Sequence, residues 1–257
     1  MQLRILGCSG GIGGTLRTTC YQLDDDILID AGTGAGDLSL EQMRGIRHIF
    51  LTHSHLDHLA GLPLMVDSIF SDLLSGGTPI RVYAQAETLE ALRTHLFNWV
   101  LWPDFSVLPT PEQPVVEFRA MQPGECVEIN GRQVEMVAVN HVVPGVGYCI
   151  STPEGVLAFS GDTTTNDTLW EALNRYPRLD ALIVECAFGD RDEELCQKAY
   201  HYCPRLLAAD LAKLRHQPAI YLTHLKPGAE DRIVEQCQAR VSGRRLRRLF
   251  GGDIIQL

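Results

Sequence analysis

The sequence predicts an α/β fold in which β-sheets are covered by helices on both faces. Residues 1–30 read as three short strands, and alternating strand-like runs recur over residues 115–159, where glycines occupy the turns. Beyond residue 160 the chain alternates between helical and strand-like segments. Because an apolar sheet face must be buried, helices on both sides of the sheets are the natural assembly for this order of elements.

The predicted elements follow one another with short connections. After the N-terminal strands, the run 48–52 reads as a short buried strand, and helices are predicted at 59–74 and 87–97. The remaining elements are a helix at 169–173, a strand at 181–184, helices at 193–200 and 204–214, a strand at 220–222 and a helix at 232–239. The first strand leads into a glycine-rich loop at 7–14, which lacks the Gly-Lys-Ser/Thr ending of a phosphate-binding P-loop. We expect this loop to lie near the functional site.

Composition narrows the class of protein. A chain of 257 residues with 45% hydrophobic content can bury a substantial core, and the absence of a low-complexity linker favours a single catalytic domain over residues 1–257. We expect a cytoplasmic protein without membrane contact, because the sequence contains neither a run of about 18 apolar residues nor a signal-peptide core. The net charge of -10 argues against broad binding of nucleic acid. The eight cysteines form no C-x-x-C pair and are expected to be mostly reduced structural residues.

The segment HSHLDH at 53–58 carries the strongest functional signal. Three imidazoles and one carboxylate follow directly on the strand predicted at 48–52. In such a loop His53 and His55 can converge on one ion, while Asp57 and His58 reach a second. Imidazole nitrogen suits Zn, Fe or Mn, and carboxylate adds affinity for the harder ions. The alternative is a polar loop that is rich in histidine by chance, and the partners found further along the chain disfavour it.

Three further ligand-type residues follow strand-like runs in the rest of the chain. His141 follows the run 134–139, Asp162 follows 156–159, and His224 ends the run 219–224. Residues at strand ends can gather along one edge of a sheet framework, so seven candidate ligands can meet. The strings HIFLTH at 48–53 and AIYLTH at 219–224 also hint at a duplicated architecture.

The order of these residues resembles the signature of the metallo-β-lactamase superfamily over nearly the whole chain. That signature is an Asp, then HxHxDH, then a single His, a bridging residue and a last His, and in this chain it reads Asp30, His53/His55/Asp57/His58, His141, Asp162 and His224. The resemblance implies a four-layer αβ/βα sandwich with two central mixed sheets. It also implies two divalent transition metals per chain, Zn²⁺ first and Mn²⁺ or Fe²⁺ as options. One metal would be held by His53, His55 and His141, the other by Asp57, His58 and His224, with Asp162 as the bridge and Asp30 as a buried support.

The bridging position separates subfamilies within this resemblance. β-Lactamases of this type carry Cys there, whereas the binuclear hydrolases of esters and phosphodiesters carry Asp. Because position 162 is Asp, the resemblance argues against an antibiotic-degrading enzyme.

Three stretches are similar to the class II cyclic-nucleotide phosphodiesterases, namely HSHLDHLAGLPLMVDS at 53–68, LFNWVLWPD at 96–104 and YLTHLKP at 221–227. This resemblance implies a phosphodiesterase that hydrolyses 3',5'-cyclic nucleotides to nucleoside 5'-monophosphates, with a small phosphodiester as its substrate. Two cations about 3.5–4 Å apart can polarise a shared water to hydroxide and clamp the phosphoryl oxygens during in-line attack. The resemblance also makes a homodimer an option.

A leaving 3'-oxygen needs a proton, and His201 is the candidate donor. It precedes His224 by 23 residues, the related tRNA-processing enzymes have a His in a comparable place, and histidine has a suitable pKa. Glu185, which follows the strand at 181–184, could orient it. Asp57, His201 and Glu185 are thus the candidate catalytic residues, with Asp57 also a metal ligand. The alternative for His201 is an ordinary histidine at the edge of the core.

Other functions remain open on the sequence alone. A ribonuclease Z-like tRNA 3'-end endonuclease shares all seven ligands, but this acidic chain lacks a basic, glycine-rich insertion that could clasp tRNA. Another ester or thioester hydrolase of the superfamily, and a scaffold that binds no metal, are more distant alternatives. Trp99 and Trp102 fit either packing within a core or interface, or a wall on which a base stacks.

Overall fold

A computed structural model of the chain describes residues 1–257 and contains two seven-stranded mixed sheets. The strands are β1 (Gln2–Gly7), β2 (Cys20–Leu23), β3 (Ile27–Ile29), β4 (His48–Phe50), β5 (Ile80–Ala84), β6 (Pro109–Thr110), β7 (Gln113–Pro114), β8 (Val116–Ala120), β9 (Cys126–Ile129), β10 (Arg132–Ala138), β11 (Val146–Ser151), β12 (Val156–Phe159), β13 (Ala181–Glu185), β14 (Ala219–Thr223), β15 (Leu246–Arg248) and β16 (Ile254–Gln256). The helices are α1 (Leu40–Gly45), α2 (Leu56–Leu59), α3 (Gly61–Ser68), α4 (Phe70–Gly76), α5 (Ala86–His95), α6 (Thr168–Arg175), α7 (Glu193–Lys198), α8 (Pro204–Leu211) and α9 (Glu230–Arg240), with short 3-10 helices at Thr33–Asp37 and Asp190–Asp192.

The two sheets share one plan. The N-terminal sheet has the strand order β16-β1-β2-β3-β4-β5-β8, and the C-terminal sheet has the order β15-β14-β13-β12-β11-β10-β9. In each, four antiparallel strands are extended by three strands that pair in parallel. HIFLTH lies on the first added parallel strand, β4, whereas AIYLTH lies on the second, β14. The similar strings therefore do not occupy equivalent positions, although the architecture is duplicated.

Three hydrophobic clusters separate the layers. A cluster of 21 buried residues, among them Ile5, Tyr21, Tyr148 and Phe159, lies between the two sheets. Clusters of 26 and 22 buried residues lie between the outer faces of the sheets and the helices that cover them. Both faces of each sheet are therefore buried, which is why many strands read as nearly continuous apolar runs. The predicted four-layer sandwich is confirmed.

Two buried tyrosines connect the sheets reciprocally. The hydroxyl of Tyr21 on β2 shares a hydrogen bond with the hydroxyl of Thr223 at the end of β14, at 2.6 Å. The hydroxyl of Tyr148 on β11 donates to the carbonyl oxygen of Leu51, just after β4, at 2.8 Å. Both rings are fully buried, so each phenol needs such a partner. Each sheet thereby braces a strand end of the other.

The prediction of one helix at 59–74 is wrong, because this segment belongs to three short helices, α2, α3 and α4. Pro63 has no N–H to donate to the Leu59 carbonyl, so a new helix begins at Gly61. Ile69 leaves the helical conformation at φ -116°, and the helices on either side of it bend by 65°. The other predicted elements are present with ends shifted by a few residues. The helix α1 and the strands β5, β6, β7, β15 and β16 were not predicted. No single helix is long and apolar enough to cross a membrane. The bent pair 56–68 and 70–76 has the length and composition of a membrane span only when its two helices are counted as one.

Candidate metal centre

The loop after β4 places four predicted ligands, His53, His55, Asp57 and His58. Just before it, the backbone N–H of Thr52 donates to Asp30 Oδ1 at 2.8 Å, and the Thr52 hydroxyl donates to Asp30 Oδ2 at 2.9 Å. These bonds fix the chain where the ligand loop begins. His55 is the N-cap residue of α2, so Asp57 and His58 lie in the first turn of that helix.

The C-terminal sheet places the other three predicted ligands, His141, Asp162 and His224. They follow β10, β12 and β14, which run in the same direction, so their carboxyl ends meet at one edge of the sheet. Gly161 has φ +60°, and a Cβ there would lie 2.4 Å from the Val146 carbonyl oxygen. Only glycine fits this turn, which directs the next residue, Asp162, to the sheet edge.

The seven side chains converge where the edges of the two sheets meet. Their donor atoms form two groups, with every pair of atoms in a group within 4.8 Å: His53, His55, His141 and Asp162 in one, Asp57, His58 and His224 in the other. Asp162 Oδ2 lies 3.7 Å from His53 Nε2 and 3.3 Å from His58 Nε2, and its Oδ1 lies 3.3 Å from His224 Nδ1. Asp162 therefore stands between the groups, in the arrangement that the sequence predicts.

The donor set fits metal ions because its buried polar atoms lack other partners. The atoms without a hydrogen bond include His53 Nε2, His58 Nε2, both ring nitrogens of His224, and Asp162 Oδ1. A buried polar group without a partner is costly. Cations would accept a lone pair from Asp162 and from one nitrogen of each of the three rings, so the cluster is capable of binding metal.

Each sheet also supplies groups that orient the donors. His58 Nδ1 lies 2.6 Å from Asp30 Oδ2, and both side chains are completely buried. His141 Nδ1 donates to the backbone carbonyl oxygen of Tyr200 at 3.0 Å. A ring held through Nδ1 presents Nε2 to the centre, which is how metal-binding histidines are commonly fixed. The expected support from Asp30 is thus visible, whereas the Tyr200 carbonyl was missed because a backbone acceptor leaves no signal in the sequence.

The protonation states of the cluster suit metal binding. Burial lowers the pKa of His53 well below its usual value, that of His141 to about 4 and that of His224 to about 3. Burial also opposes a charge on His58, but the carboxylates of Asp162 and Asp30 outweigh it and raise the pKa of His58. The first three rings are therefore neutral near pH 7, the form that donates a lone pair to a metal, whereas a metal must displace a proton from His58.

His201 and Glu185 form a second carboxylate–histidine pair at the same edge. His201 Nδ1 lies 2.7 Å from Glu185 Oε1, and the Glu185 carboxylate is completely buried. Burial opposes a charge on His201, but Glu185 outweighs it through its charge and hydrogen bond, so the pKa of His201 is raised. A ring atom of His201 lies within 4.8 Å of donor atoms of Asp162 and His224. The predicted orienting contact of Glu185 is present, although the catalytic role of the pair stays a prediction.

The Glu185 side chain also organises the backbone around it. Its Oε1 accepts the N–H of Thr163 at 3.0 Å, and its Oε2 accepts those of Ala187 at 3.0 Å and Tyr202 at 3.3 Å. One carboxylate thereby connects the turn that carries Asp162 with the loop that carries His201. A substitution at this position would disturb both.

The glycine-rich loop lies against the centre, as the sequence predicts. A Cβ on Gly10 would lie 2.5 Å from the carbonyl oxygen of His224 and 3.1 Å from its ring carbon Cδ2. The Gly10 N–H donates to the Leu225 carbonyl at 3.0 Å. The absence of a side chain lets this loop pack directly on a ligand-bearing segment.

The two tryptophans of the 96–104 stretch have different environments. Trp99 is 62% exposed at φ +64°, on a turn where Asn98 Oδ1 accepts the N–H groups of Val100 and Leu101. Trp102 is half-buried and packs against the cluster beneath the helices of the N-terminal sheet. Both lie beyond α5, which ends at His95. Packing is the better description of Trp102.

A two-sheet sandwich with a cluster of His and Asp donors at one edge defines the metal-dependent hydrolases of the metallo-β-lactamase fold. A family model described as a beta-lactamase superfamily domain matches residues 25–225, and the chain therefore belongs to the metallo-β-lactamase superfamily.

Individual relatives are more distant. The chain is 25% identical over 218 residues to a probable 3',5'-cyclic-nucleotide phosphodiesterase of Yersinia pestis, a match that covers 73% of this chain and 59% of that protein. It is 30% identical over 159 residues to a ribonuclease Z of Methanopyrus kandleri, covering 59% of this chain and 50% of that protein. The chain thus spans about three-fifths of the first relative's length and half of the second's. Among solved structures, unliganded yeast PDE1 superposes with a TM-score of 0.84 at 18% identity, over 100% of this chain and 99% of that chain. This last likeness shows the fold.

Proposed function

We propose that the chain is a binuclear metal-dependent phosphodiesterase that hydrolyses 3',5'-cyclic nucleotides to nucleoside 5'-monophosphates. One observation carries the proposal: two donor groups meet at Asp162, and a histidine held by a buried carboxylate lies beside them. Two cations in these groups would supply positive charge to the phosphoryl oxygens and lower the pKa of a water. The stretches similar to class II phosphodiesterases and the Yersinia pestis relative support a cyclic nucleotide as substrate.

The seven candidate ligands would hold the two cations in two sets that share one carboxylate. His53, His55 and His141 would hold one cation and Asp57, His58 and His224 the other, with Asp162 shared between them. Asp57 is the most accessible carboxylate of the cluster at 32% side-chain exposure, so it is also placed to contact a substrate. Zn²⁺ suits this histidine-rich set best, with Mn²⁺ or Fe²⁺ as options.

Proton delivery is assigned to His201. Glu185 holds its Nδ1, so the other ring nitrogen is free for the leaving 3'-oxygen of the nucleotide. The raised pKa of His201 keeps the ring protonated closer to neutral pH than an ordinary buried histidine. His201 is therefore a proton donor whose ring orientation is set by a neighbour.

The test is a substrate screen with protein loaded with Zn²⁺ or Mn²⁺. Cyclic AMP, cyclic GMP, bis(p-nitrophenyl) phosphate and a tRNA precursor are compared, and we expect turnover of a cyclic nucleotide to its 5'-monophosphate. The rate should depend only modestly on salt, since few phosphates are contacted. Cleavage of the tRNA precursor with both cyclic nucleotides untouched would refute the proposal.

That outcome would establish the second candidate, a ribonuclease Z-like endonuclease. The observation that favours it is the 30% identity over 159 residues to the Methanopyrus kandleri ribonuclease Z. The net charge of -10 weighs against it, because a polyanionic RNA needs a basic surface.

A further inference from the structure

Lys226 is the one lysine of the chain that is neither exposed nor paired with a carboxylate. The chain has three lysines in all. Lys198 is exposed at the end of α7, and Lys213 lies 2.8 Å from both Asp167 and Asp210. Lys226 is half-buried and makes no ion pair, although the chain has an excess of carboxylates.

Three contacts hold Lys226 at the edge of the metal centre, two residues after His224. Its backbone N–H donates to the Ala187 carbonyl at 3.1 Å, and its Nζ donates to the Gly10 carbonyl at 2.9 Å. Nζ also lies 5.9 Å from the centre of the Phe188 ring, which is itself 5.7 Å from the ring of His201. The ammonium is therefore fixed on the side of the centre where His201 lies.

Lys226 brings a positive charge to the side of the centre where His201 lies, and it has no carboxylate partner of its own. The neighbouring rings are the imidazoles of His201 and His224, stacked at a centroid distance of 5.3 Å, and His201 is the proposed proton donor. Like charges repel more strongly where water is excluded. An anionic ligand converts this repulsion into attraction. Nζ uses one of its three N–H donors on Gly10, so two remain available.

We propose that Lys226 binds a non-bridging phosphoryl oxygen of the substrate and so selects anionic phosphodiesters over neutral esters at this centre. The inference rests on the proposed phosphodiesterase function. An ammonium is a compact point charge with several donors, which suits a phosphate oxygen. The glycine-rich loop contributes through its backbone, because the Gly10 carbonyl sets the direction of Nζ.

The test compares an anionic with a neutral substrate in Lys226→Met, with Lys198→Met as the matched control. On bis(p-nitrophenyl) phosphate we expect kcat/KM of Lys226→Met to fall roughly 10–100-fold, the range of a charge-assisted hydrogen bond. On neutral p-nitrophenyl acetate it should change less than about 2-fold, and Lys226→Arg should retain most of the anionic activity. Metal content measured by elemental analysis should equal that of the unmodified protein.

Binding of inorganic phosphate, measured by calorimetry, gives a readout that needs no turnover. Lys226→Met should bind phosphate roughly 10-fold more weakly than the unmodified protein, while Lys198→Met binds it equally well. Unchanged phosphate affinity, or equal losses on both ester substrates, overturns the inference. These probes do not require cyclic nucleotides. Inactivity on cyclic AMP and cyclic GMP would refute the proposed function, while the phosphate and ester measurements would still establish whether Lys226 binds a phosphoryl oxygen.

Discussion

Two buried carboxylate–histidine pairs, one in each half of the sandwich, differ in what surrounds them. Asp30 and Glu185 are both fully buried, and each lies within 2.7 Å of the Nδ1 atom of its histidine, His58 or His201. His58 is completely buried and its Nε2 faces Asp162 at 3.3 Å. His201 is 7% exposed and its ring lies beside Phe188 and His224.

Under the proposed function, the same carboxylate–histidine arrangement serves two purposes. Holding Nδ1 fixes which nitrogen is free. The free Nε2 of His58 faces Asp162 and would hold a metal, whereas the free nitrogen of His201 lies at the edge of the cleft and would give a proton to the substrate. The surroundings of the ring, and not the pairing itself, decide the role.

The largest effect is expected at Asp162, which both pairs approach. Asp162→Ala removes the only carboxylate between the two donor groups, so both metals and turnover should be lost. Elemental analysis of protein purified without chelator should give close to two transition metals per chain before the change and fewer than one after it. A persistent stoichiometry of one in the unmodified protein would contradict the shared role of Asp162.

His201→Ala tests the C-terminal pair by its dependence on the leaving group. The rate should fall roughly 10²–10⁴-fold on a cyclic nucleotide, whose alkoxide needs a proton. The loss on bis(p-nitrophenyl) phosphate should be far smaller, because p-nitrophenolate departs unprotonated. Metal content should be unchanged, and His95→Ala, an exposed site at the end of α5, is the control. Equal losses on the two substrates would show that His201 only positions substrate or supports the fold.

Glu185→Gln tests whether Glu185 and His201 contribute to activity as a unit. The amide keeps the size of the side chain but loses the charge that holds the proton on His201, so the loss should depend on the leaving group in the same way. The double variant with His201→Ala should lose little more activity than His201→Ala alone, since residues that act as a unit are not additive. Additive losses would separate the roles of the two residues.

Asp30→Asn tests the N-terminal pair through metal affinity. The amide makes the His58 ring a weaker electron donor to the metal and orients it less firmly, so we expect metal affinity to fall roughly 10–100-fold. The exposed Asp25→Asn in the hairpin turn is the matched control. Competition with a chromophoric chelator measures the change. An effect on turnover that depends on the leaving group, with unaltered metal affinity, would assign to Asp30 the role proposed for Glu185.

The smallest effect on chemistry is expected at Trp102. Because this ring packs against the cluster beneath the helices, Trp102→Ala should cost about 1–3 kcal/mol of stability. KM for a cyclic nucleotide should stay within about 2-fold of the unmodified value. Thermal unfolding measures the stability and steady-state kinetics measure KM. A raised KM with unaltered stability would show that Trp102 stacks on the base of the nucleotide.

The parts of the site that could be predicted from the sequence are those whose residues form a local pattern along the chain. Four candidate ligands lie within the six residues 53–58, so their spacing alone indicated metal binding. His141, Asp162 and His224 could be found because each ends a strand-like run. The contacts of the Tyr200 carbonyl and of Thr52 could not be predicted, because they depend on backbone positions that tertiary packing sets.

The fold was predictable to a similar extent. Apolar runs such as 27–29 and 48–52 indicated the central strands, whereas β15 (Leu246–Arg248) lies in an arginine-rich segment and lacks such a run. The break at Ile69 was missed because its apolar pattern continues through the bend. Ile69 is buried at this bend, and no glycine or proline lies within five residues of it to signal a break.

The reciprocal tyrosines act as spacers of fixed length. Tyr21 reaches the residue before His224, and Tyr148 reaches the backbone two residues before His53, so a rigid phenol ring fixes the gap between the halves on each side. Neither contact involves the outer helices. Those layers are therefore free to diverge, by substitution or by longer loops, without changing the separation of the two sheet edges that the donors occupy.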